Sequence, residues 1–162
     1  MNFPRVLPER TIGPFSVDGW SFISDRCGFL AIRDGSHSPA SDGNTKAARE
    51  IIALPSAERP VALDSLRAFL EERSAVSDND LPDECNVFGC PVDARVVKKW
   101  VDMIPSKSFC RGEKRTTRTN QRDDGGVLLL EGDDWKMVIA GLTGHSLKYP
   151  PTYDEPKKEV TA

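Results

Sequence analysis

Residues 127–142, "VLLLEGDDWKMVIAGL", constrain the fold more than any other part of the chain. Two apolar runs flank a Gly-Asp-Asp turn, and both residue types favour turns because glycine tolerates unusual backbone angles and aspartate hydrogen-bonds locally. This pattern predicts a β-hairpin. Residues 20–32, "WSFISDRCGFLAI", repeat the scheme of apolar strand, acidic turn and apolar strand. With "PFSVDG" just before them, they predict a second set of antiparallel strands.

Three segments carry apolar residues at helical spacing. "NTKAAREIIALPS" is expected to begin its helix at a capping Asn44 or Thr45 and to end near Pro55. "LDSLRAFLEERS" has apolar residues at positions i, i+3, i+6 and i+7. "VDARVVKKWVDMIP" is the most regular of the three, with Asp93 as its capping residue and Pro105 at its end.

These elements predict an α+β fold with a mostly antiparallel sheet and two to three helices packed on one face. "CNVFGCPV" and "SKSFCRGE" are each expected to add one strand. A single domain is expected over residues 13–148, with its two halves joined by a polar linker near 74–84. Residues 1–12 are expected to form an irregular lead-in, and residues 149–162, rich in proline, a flexible tail.

Positive charge is concentrated in one part of an acidic chain. Residues 95–122 contain nine basic and two acidic residues, a net charge of +7, whereas the whole chain carries −3 and the remainder therefore −10. Such asymmetry can leave a positive surface on an acidic protein. The stretch 107–122 is either an arm that grips phosphates or a solvated loop. The nine basic residues are Arg95, Lys98, Lys99, Lys107, Arg111, Lys114, Arg115, Arg118 and Arg122.

The order of strand, helix and three strands in the second half resembles the half-domain of the DNA sliding clamps, typified by the bacterial polymerase III beta subunit. "WSFISDRCGFLAI", "PVDARVVKKWVDMIPS" and "VLLLEGDDWKMVIAGL" are similar to the clamp hairpins and helix, so the likeness covers residues 13–33 and 85–142. It implies helices that face a DNA duplex, with Arg95, Lys98 and Lys99 contacting phosphates. It also implies a homo-oligomer, because a ring needs several copies of a chain this short.

Two functions are consistent with these features. The first is a DNA-associated accessory protein of the sliding-clamp type, which binds double-stranded DNA without sequence specificity through the nine basic residues. The second is a small interaction or inhibitor protein that binds a protein partner, because the acidic remainder of the chain repels DNA. No nucleophile elbow, pair of metal-binding histidines or phosphate-binding glycine loop accompanies His37 or His145, so neither catalysis nor a cofactor is expected.

Four cysteines, Cys27, Cys85, Cys90 and Cys110, leave three alternatives open. Zinc binding usually needs a second closely spaced pair besides Cys85 and Cys90, a disulfide needs an oxidising environment, and a buried thiol needs neither. No metal is therefore expected. The chain lacks both an apolar run of the ~20 residues that span a bilayer and a signal peptide at its start. These features predict a cytoplasmic protein without membrane contact.

Overall fold

The computed structural model describes residues 3, 10–25, 27–33, 42–74, 83–104, 109–115, 126–142 and 151–153. These residues form a larger sheet, a smaller sheet and three helices. The larger sheet contains β1 (Ile12–Val17), β2 (Trp20–Ser24), β3 (Gly28–Ile32), β4 (Arg59–Ala62), β7 (Phe109–Arg115), β8 (Val127–Glu131) and β9 (Trp135–Ala140). The smaller sheet contains β5 (Glu84–Val87), β6 (Cys90–Asp93) and β10 (Thr152–Tyr153). The helices are α1 (Asp42–Ile52), α2 (Leu63–Ser74) and α3 (Ala94–Val101).

Two three-stranded meanders, joined edge to edge, make up most of the larger sheet. Its strand order is β1-β2-β3-β9-β8-β7-β4, and every neighbouring pair is antiparallel. β3 and β9 form the junction, where Leu30 lies opposite Met137. The two hairpins predicted from their shared pattern are therefore neighbours in one sheet, and the prediction of a mostly antiparallel sheet is confirmed.

Both faces of this sheet are covered, because its central strands carry apolar residues on both sides. Leu128 and Leu130 pack in the same core as residues of α2, α3 and the smaller sheet. Leu129 between them packs in the other core, with residues of α1. Successive side chains of a strand point to opposite faces, so the run "VLLL" contributes to two cores. The α+β class is confirmed: α2 and α3 share one face of the sheet, and α1 adds a layer on the other.

Helix α3 is fixed at both ends by polar contacts. At its start, Asp93 Oδ1 accepts the backbone N–H of Arg95 at 3.1 Å, as the capping prediction required. At its end, the guanidinium of Arg67 in α2 donates to the carbonyls of Val101 and Ile104. The Val101 carbonyl also accepts the N–H of Ile104 at 3.0 Å, and a cation suits the negative end of the helix dipole. The cationic side of α3 is thus held in one orientation.

The segment "CNVFGCPV", predicted as one strand, is a hairpin. β5 and β6 pair antiparallel, with Val87 opposite Cys90. The two residues between them, Phe88 and Gly89, have φ angles of +53° and +80°, which is the backbone of a type I′ turn. Phenylalanine rarely adopts a positive φ, so the apolar run gave no sign of a turn. The prediction of a single strand is therefore wrong.

Residues 151–153 also differ from the prediction. Thr152 and Tyr153 form β10, a parallel partner of β5, although a flexible tail was predicted from residue 149. The side chain of Tyr153 is buried in the core that contains α2 and α3, and this burial holds the segment in place. The tail prediction is wrong for these residues. Residues 75–82, in the predicted linker, lie outside the described part of the chain.

Candidate strand-docking site

Lys99, one of the three α3 cations assigned to phosphates, forms an ion pair inside the chain. Its Nζ lies 2.6 Å from Oδ2 of Asp25, in the turn between β2 and β3. The other oxygen of Asp25 accepts the backbone N–H groups of Cys27 at 2.7 Å and Gly28 at 3.0 Å. The Asp25 side chain is only 7% exposed, so this charge-assisted hydrogen bond is shielded from water and salt. Lys99 thus fastens α3 to the hairpin.

The other two cations of α3 are paired with carboxylates at the two ends of the same helix. Lys98 Nζ lies 2.9 Å from Asp102 Oδ2, and this hydrogen bond raises the pKa of Lys98 above its ordinary value. Arg95 Nε lies 3.6 Å from Asp93 Oδ1. These pairs are partly exposed and each contributes only about 0–1 kcal/mol to stability. They nevertheless place a negative charge beside each cation, which lowers the positive potential that DNA phosphates would meet.

Two of the basic residues of β7 hold structural contacts. Arg111 Nη2 lies 3.8 Å from Oε1 of Glu131, whose side chain is almost fully buried. Arg115 donates to the carbonyl of Pro55 at 2.9 Å and contacts the carboxylate of Glu113. The guanidinium of Arg115 therefore ties the connection after α1 to the sheet, and neither arginine is presented as an isolated cation.

The structure also divides the predicted basic surface between the two sides of the larger sheet. Arg115 lies opposite Val127, whose side chain packs in the core on the α1 side. Lys114 lies opposite Leu128, which packs in the core on the α3 side. The alternation of a strand puts neighbouring residues on opposite faces, so Arg111 and Arg115 do not share a surface with the cations of α3. Lys114 is exposed.

Several predicted features lie outside the described residues. They are Lys107, Arg118, Arg122, His37 and His145. Within the described ranges, no three His, Cys, Asp or Glu side chains are placed to hold a metal ion. None of the three described helices has the length and apolar character needed to cross a membrane.

The four cysteines form no disulfides and lie in two different environments. Burial raises the pKa of Cys85 to about 12, of Cys90 to about 11 and of Cys110 to about 12. Cys27, in the turn before β3, is partly exposed. The thiolate is the reactive form of cysteine. The three buried thiols are therefore protected from modification, because reagents cannot reach them and because they stay protonated. Their positions fit the buried-thiol alternative.

Iodoacetamide at mildly alkaline pH should therefore modify Cys27 alone in the folded chain. Intact-mass measurement should show one adduct under native conditions and four adducts in denaturant, because unfolding exposes the remaining thiols and returns their pKa values to the ordinary range. Replacing Cys27 with serine serves as the control and should leave the folded protein unmodified. Rapid native modification of Cys85, Cys90 or Cys110 would contradict the packing described above.

The sheet edges differ in their ability to accept another strand. Three outer strands contain proline: Pro14 in β1, Pro60 in β4 and Pro91 in β6. Proline has no N–H to offer a new partner and is a common means of protecting edges. β5, with the sequence "ECNV", contains none. Its outer edge is the place where an additional strand, β10, is bound.

β10 pairs with β5 through backbone hydrogen bonds whose donors are two residues apart. The N–H of Asn86 donates to the carbonyl of Pro151 at 2.8 Å, and the N–H of Phe88 donates to the carbonyl of Tyr153 at 3.1 Å. The cross-strand neighbour of Asn86 on β6 is Pro91, whose carbonyl accepts the N–H of Leu142 at 2.7 Å. The Asn86 N–H thus points to the outer edge of β5, where it donates to the docked strand.

An aromatic pocket receives the side chain of the docked segment. The Tyr153 ring lies 5.5 Å from Phe69 of α2 in a tilted arrangement and 5.7 Å from Phe88 in an edge-on arrangement. Both geometries suit the charge distribution of aromatic rings. Tyr153 is 6% exposed, while Thr152 before it is exposed. One side chain of the segment is thus buried and its neighbour is left in water.

Phe88 is held in a conformation that costs energy. Its φ of +53° lies in the left-handed region, which for a bulky residue costs on the order of 1–3 kcal/mol. The ring is packed over Gly112 of β7, where an added Cβ would lie 2.9 Å from Phe88 Cε2. The guanidinium of Arg59 stands 5.7 Å from the same ring. A strained residue that forms the wall of a pocket is a reason to suspect a binding role.

The sequence contains two partial signals for this site. The turn residue Gly89 marked the hairpin weakly, and Tyr153 is an aromatic residue inside a proline-rich tail. Neither signal names its partner, because Tyr153 and Phe69 are far apart in the chain. Strand pairing of this kind is decided by tertiary packing.

Comparison with known proteins adds no further constraint. No family model, curated protein or solved structure matches this chain. The resemblance to sliding clamps therefore stays a prediction, and function has to be inferred from the geometry of the site.

Proposed function

We propose that this chain is an interaction protein that binds an extended segment of a protein partner as an added strand at the outer edge of β5. The observation that supports this proposal is the parallel pairing of β10 with Asn86 and Val87. A segment distant from β5 in sequence already occupies the edge, so the edge has the hydrogen-bond donors and the pocket that strand addition requires. Backbone hydrogen bonds supply affinity in this binding mode, and side-chain pockets supply specificity.

The segment on β5 leaves room for a longer partner. β10 pairs only with Asn86 and Val87, whereas β5 begins at Glu84. Pro151, at the start of the docked segment, has no N–H and cannot continue the ladder as a donor. A partner segment that is extended beyond these three residues would form additional hydrogen bonds along β5 and displace residues 151–153.

The rest of the described surface favours binding through backbone hydrogen bonds over binding through an apolar patch. Among the described residues, Ile12 is the only exposed large hydrophobic side chain. Interfaces built on an apolar patch need a contiguous exposed area, and the described surface offers none. A sheet edge binds through backbone groups and needs no such patch.

Double-stranded DNA binding, the first function expected from the sequence, receives less support from the geometry. Of the six predicted contact residues that the structure describes, five contact a carboxylate of the same chain: Arg95, Lys98, Lys99, Arg111 and Arg115. They also lie on two sides of the larger sheet. DNA binding and assembly into a homo-oligomeric ring stay predictions, and the test below includes DNA as a competing outcome.

Peptide binding to the full-length Tyr153→Ala variant tests the proposal. The variant removes the buried ring and vacates the pocket. A fluorescein-labelled peptide "PPTYDEP", the sequence of residues 150–156, should bind it saturably by fluorescence anisotropy. Binding to the unmodified chain should be weaker by about tenfold or more, because the tethered segment competes at a high effective concentration.

Two further variants separate the outcomes. Asn86→Pro removes one docking hydrogen bond without removing a donor to β6, so in the Tyr153→Ala background it should abolish peptide binding while thermal unfolding changes little. Charge reversal at Lys98, whose partner Asp102 is half-exposed, should leave peptide binding intact. A short labelled duplex is titrated in parallel at two salt concentrations. Salt-sensitive duplex binding without peptide binding would overturn the proposal in favour of nucleic-acid binding.

A further inference from the structure

The ligand of the β5 edge can be described by its sequence pattern. Resting on the function proposed above, we infer that the site recognises segments of the class Pro-x-Tyr or Pro-x-Phe, bound parallel to β5, with the aromatic ring as the specificity-determining contact. Residues 151–153, "PTY", are a member of this class. They act as an internal competitor that a partner segment has to displace.

Hydrogen-bond spacing fixes the distance between the two recognised positions. The donors are the N–H groups of Asn86 and Phe88, two residues apart on β5. Their acceptors are the carbonyls of Pro151 and Tyr153, two residues apart on the ligand. In a parallel pair the bonds are evenly spaced along both strands, so an insertion between the two ligand positions prevents the proline and the ring from occupying their places at the same time.

Pocket shape selects a flat ring. Phe69 and Phe88 both face the Tyr153 ring at inclined angles of 52° and 73°, an arrangement in which ring edges meet ring faces. Gly112 lies against Phe88, and a Cβ there would lie 2.9 Å from Phe88 Cε2 and would displace the ring that forms one wall of the pocket. A leucine side chain would fill less of this space and would lose both ring contacts.

The remaining ligand position lies outside the aromatic pocket. Thr152 points away from the core and is exposed, as expected for the alternate residue of an edge strand. Proline at the first position contributes mainly through its restricted φ, which favours an extended segment before binding. The expected order of importance is therefore aromatic residue, then proline, then the middle residue.

Competition with unlabelled peptides tests this order on the full-length Tyr153→Ala chain. The labelled "PPTYDEP" peptide is displaced by the same peptide and by variants of it. Tyrosine to phenylalanine should change the inhibition constant by less than about threefold, whereas tyrosine to alanine should weaken it about a hundredfold through the lost ring burial. Replacing the proline before threonine with alanine should cost about two- to fivefold. Threonine to alanine should have the smallest effect, and a glycine inserted before tyrosine should cost about as much as losing the proline, because the shifted peptide can still place its ring in the pocket.

A pocket variant gives an independent readout. Phe69 is only partly buried, so Phe69→Ala should fold, which a thermal melt verifies, and should weaken the parent peptide at least about tenfold. Glu72→Ala, on an exposed position of the same helix, is the matched control and should bind normally. Equal competition by the tyrosine and alanine peptides would overturn the ligand class while the β5 proposal survives. If no peptide binds at all, both are overturned.

Discussion

Replacing Glu131 with leucine is expected to lower the free energy of unfolding by about 3–5 kcal/mol. The Glu131 side chain is 3% exposed, and its Oε2 lies 3.5 Å from Nζ of Lys136. Its Oε1 accepts the N–H of Ala57 at 2.9 Å and lies 3.8 Å from the Arg111 guanidinium. Leucine fills the space but leaves two cations and a buried N–H without this carboxylate. Urea unfolding followed by tryptophan fluorescence measures the change.

Two controls distinguish loss of the carboxylate from a general effect of substitution. Asp133→Ala removes a fully exposed carboxylate that also lies near Arg111, and it should leave the free energy of unfolding nearly unchanged. Adding Lys136→Met to Glu131→Leu should recover part of the loss, because the unpaired cation is removed as well. A Glu131→Leu protein within about 1 kcal/mol of the parent would show that this cluster does not hold the connection after α1.

The parts of the fold that sequence reasoning found are those in which local pattern and tertiary structure agree. The hairpin of β8 and β9 has two apolar strands around a glycine- and aspartate-containing turn, and both strands are central in the larger sheet. Helix α3 has its cap at Asp93 and buries Val97, Trp100 and Val101 as its periodicity required. In each case one short stretch contains the turn or cap signal together with the apolar pattern.

The missed parts depend on residues distant in the chain. Lys99 is paired with Asp25, which lies 74 positions away, and nothing in the helix sequence identifies that carboxylate. The helix sequence alone therefore predicts that its cations contact DNA. In the structure, the turn between β2 and β3 places Asp25 beside Lys99. Tyr153 likewise looked like part of a mobile tail, because its pocket is assembled from α2 and the β5–β6 turn. A sequence pattern gives the positions of charged and apolar residues, whereas the site depends on which of these side chains contact each other in the folded chain.

Replacing Gly28 with alanine is expected to destabilise the protein by about 2–3 kcal/mol through overpacking. Gly28 begins β3, and a Cβ there would lie 2.7 Å from the backbone carbonyl oxygen of Val138 and 3.3 Å from Nε1 of Trp100. Val138 belongs to β9, which pairs with β3 along its whole length, so the carbonyl cannot move without disturbing the central junction. Trp100 is fully buried and cannot retreat either. The substitution therefore forces α3 away from the sheet or opens the ladder.

The same substitution at Gly43 provides the matched control. Nothing lies within 4 Å of a Cβ at Gly43, in the first turn of α1, and alanine is the better helix former, so Gly43→Ala should leave stability unchanged or raise it by up to about 1 kcal/mol. Opposite signs for one chemical change isolate the close approach of β3, β9 and Trp100 as the cause. Equal free energies of unfolding for the two variants in urea would contradict the close packing of α3 against β3. They would also contradict the ion pair between Lys99 and Asp25, which depends on that packing.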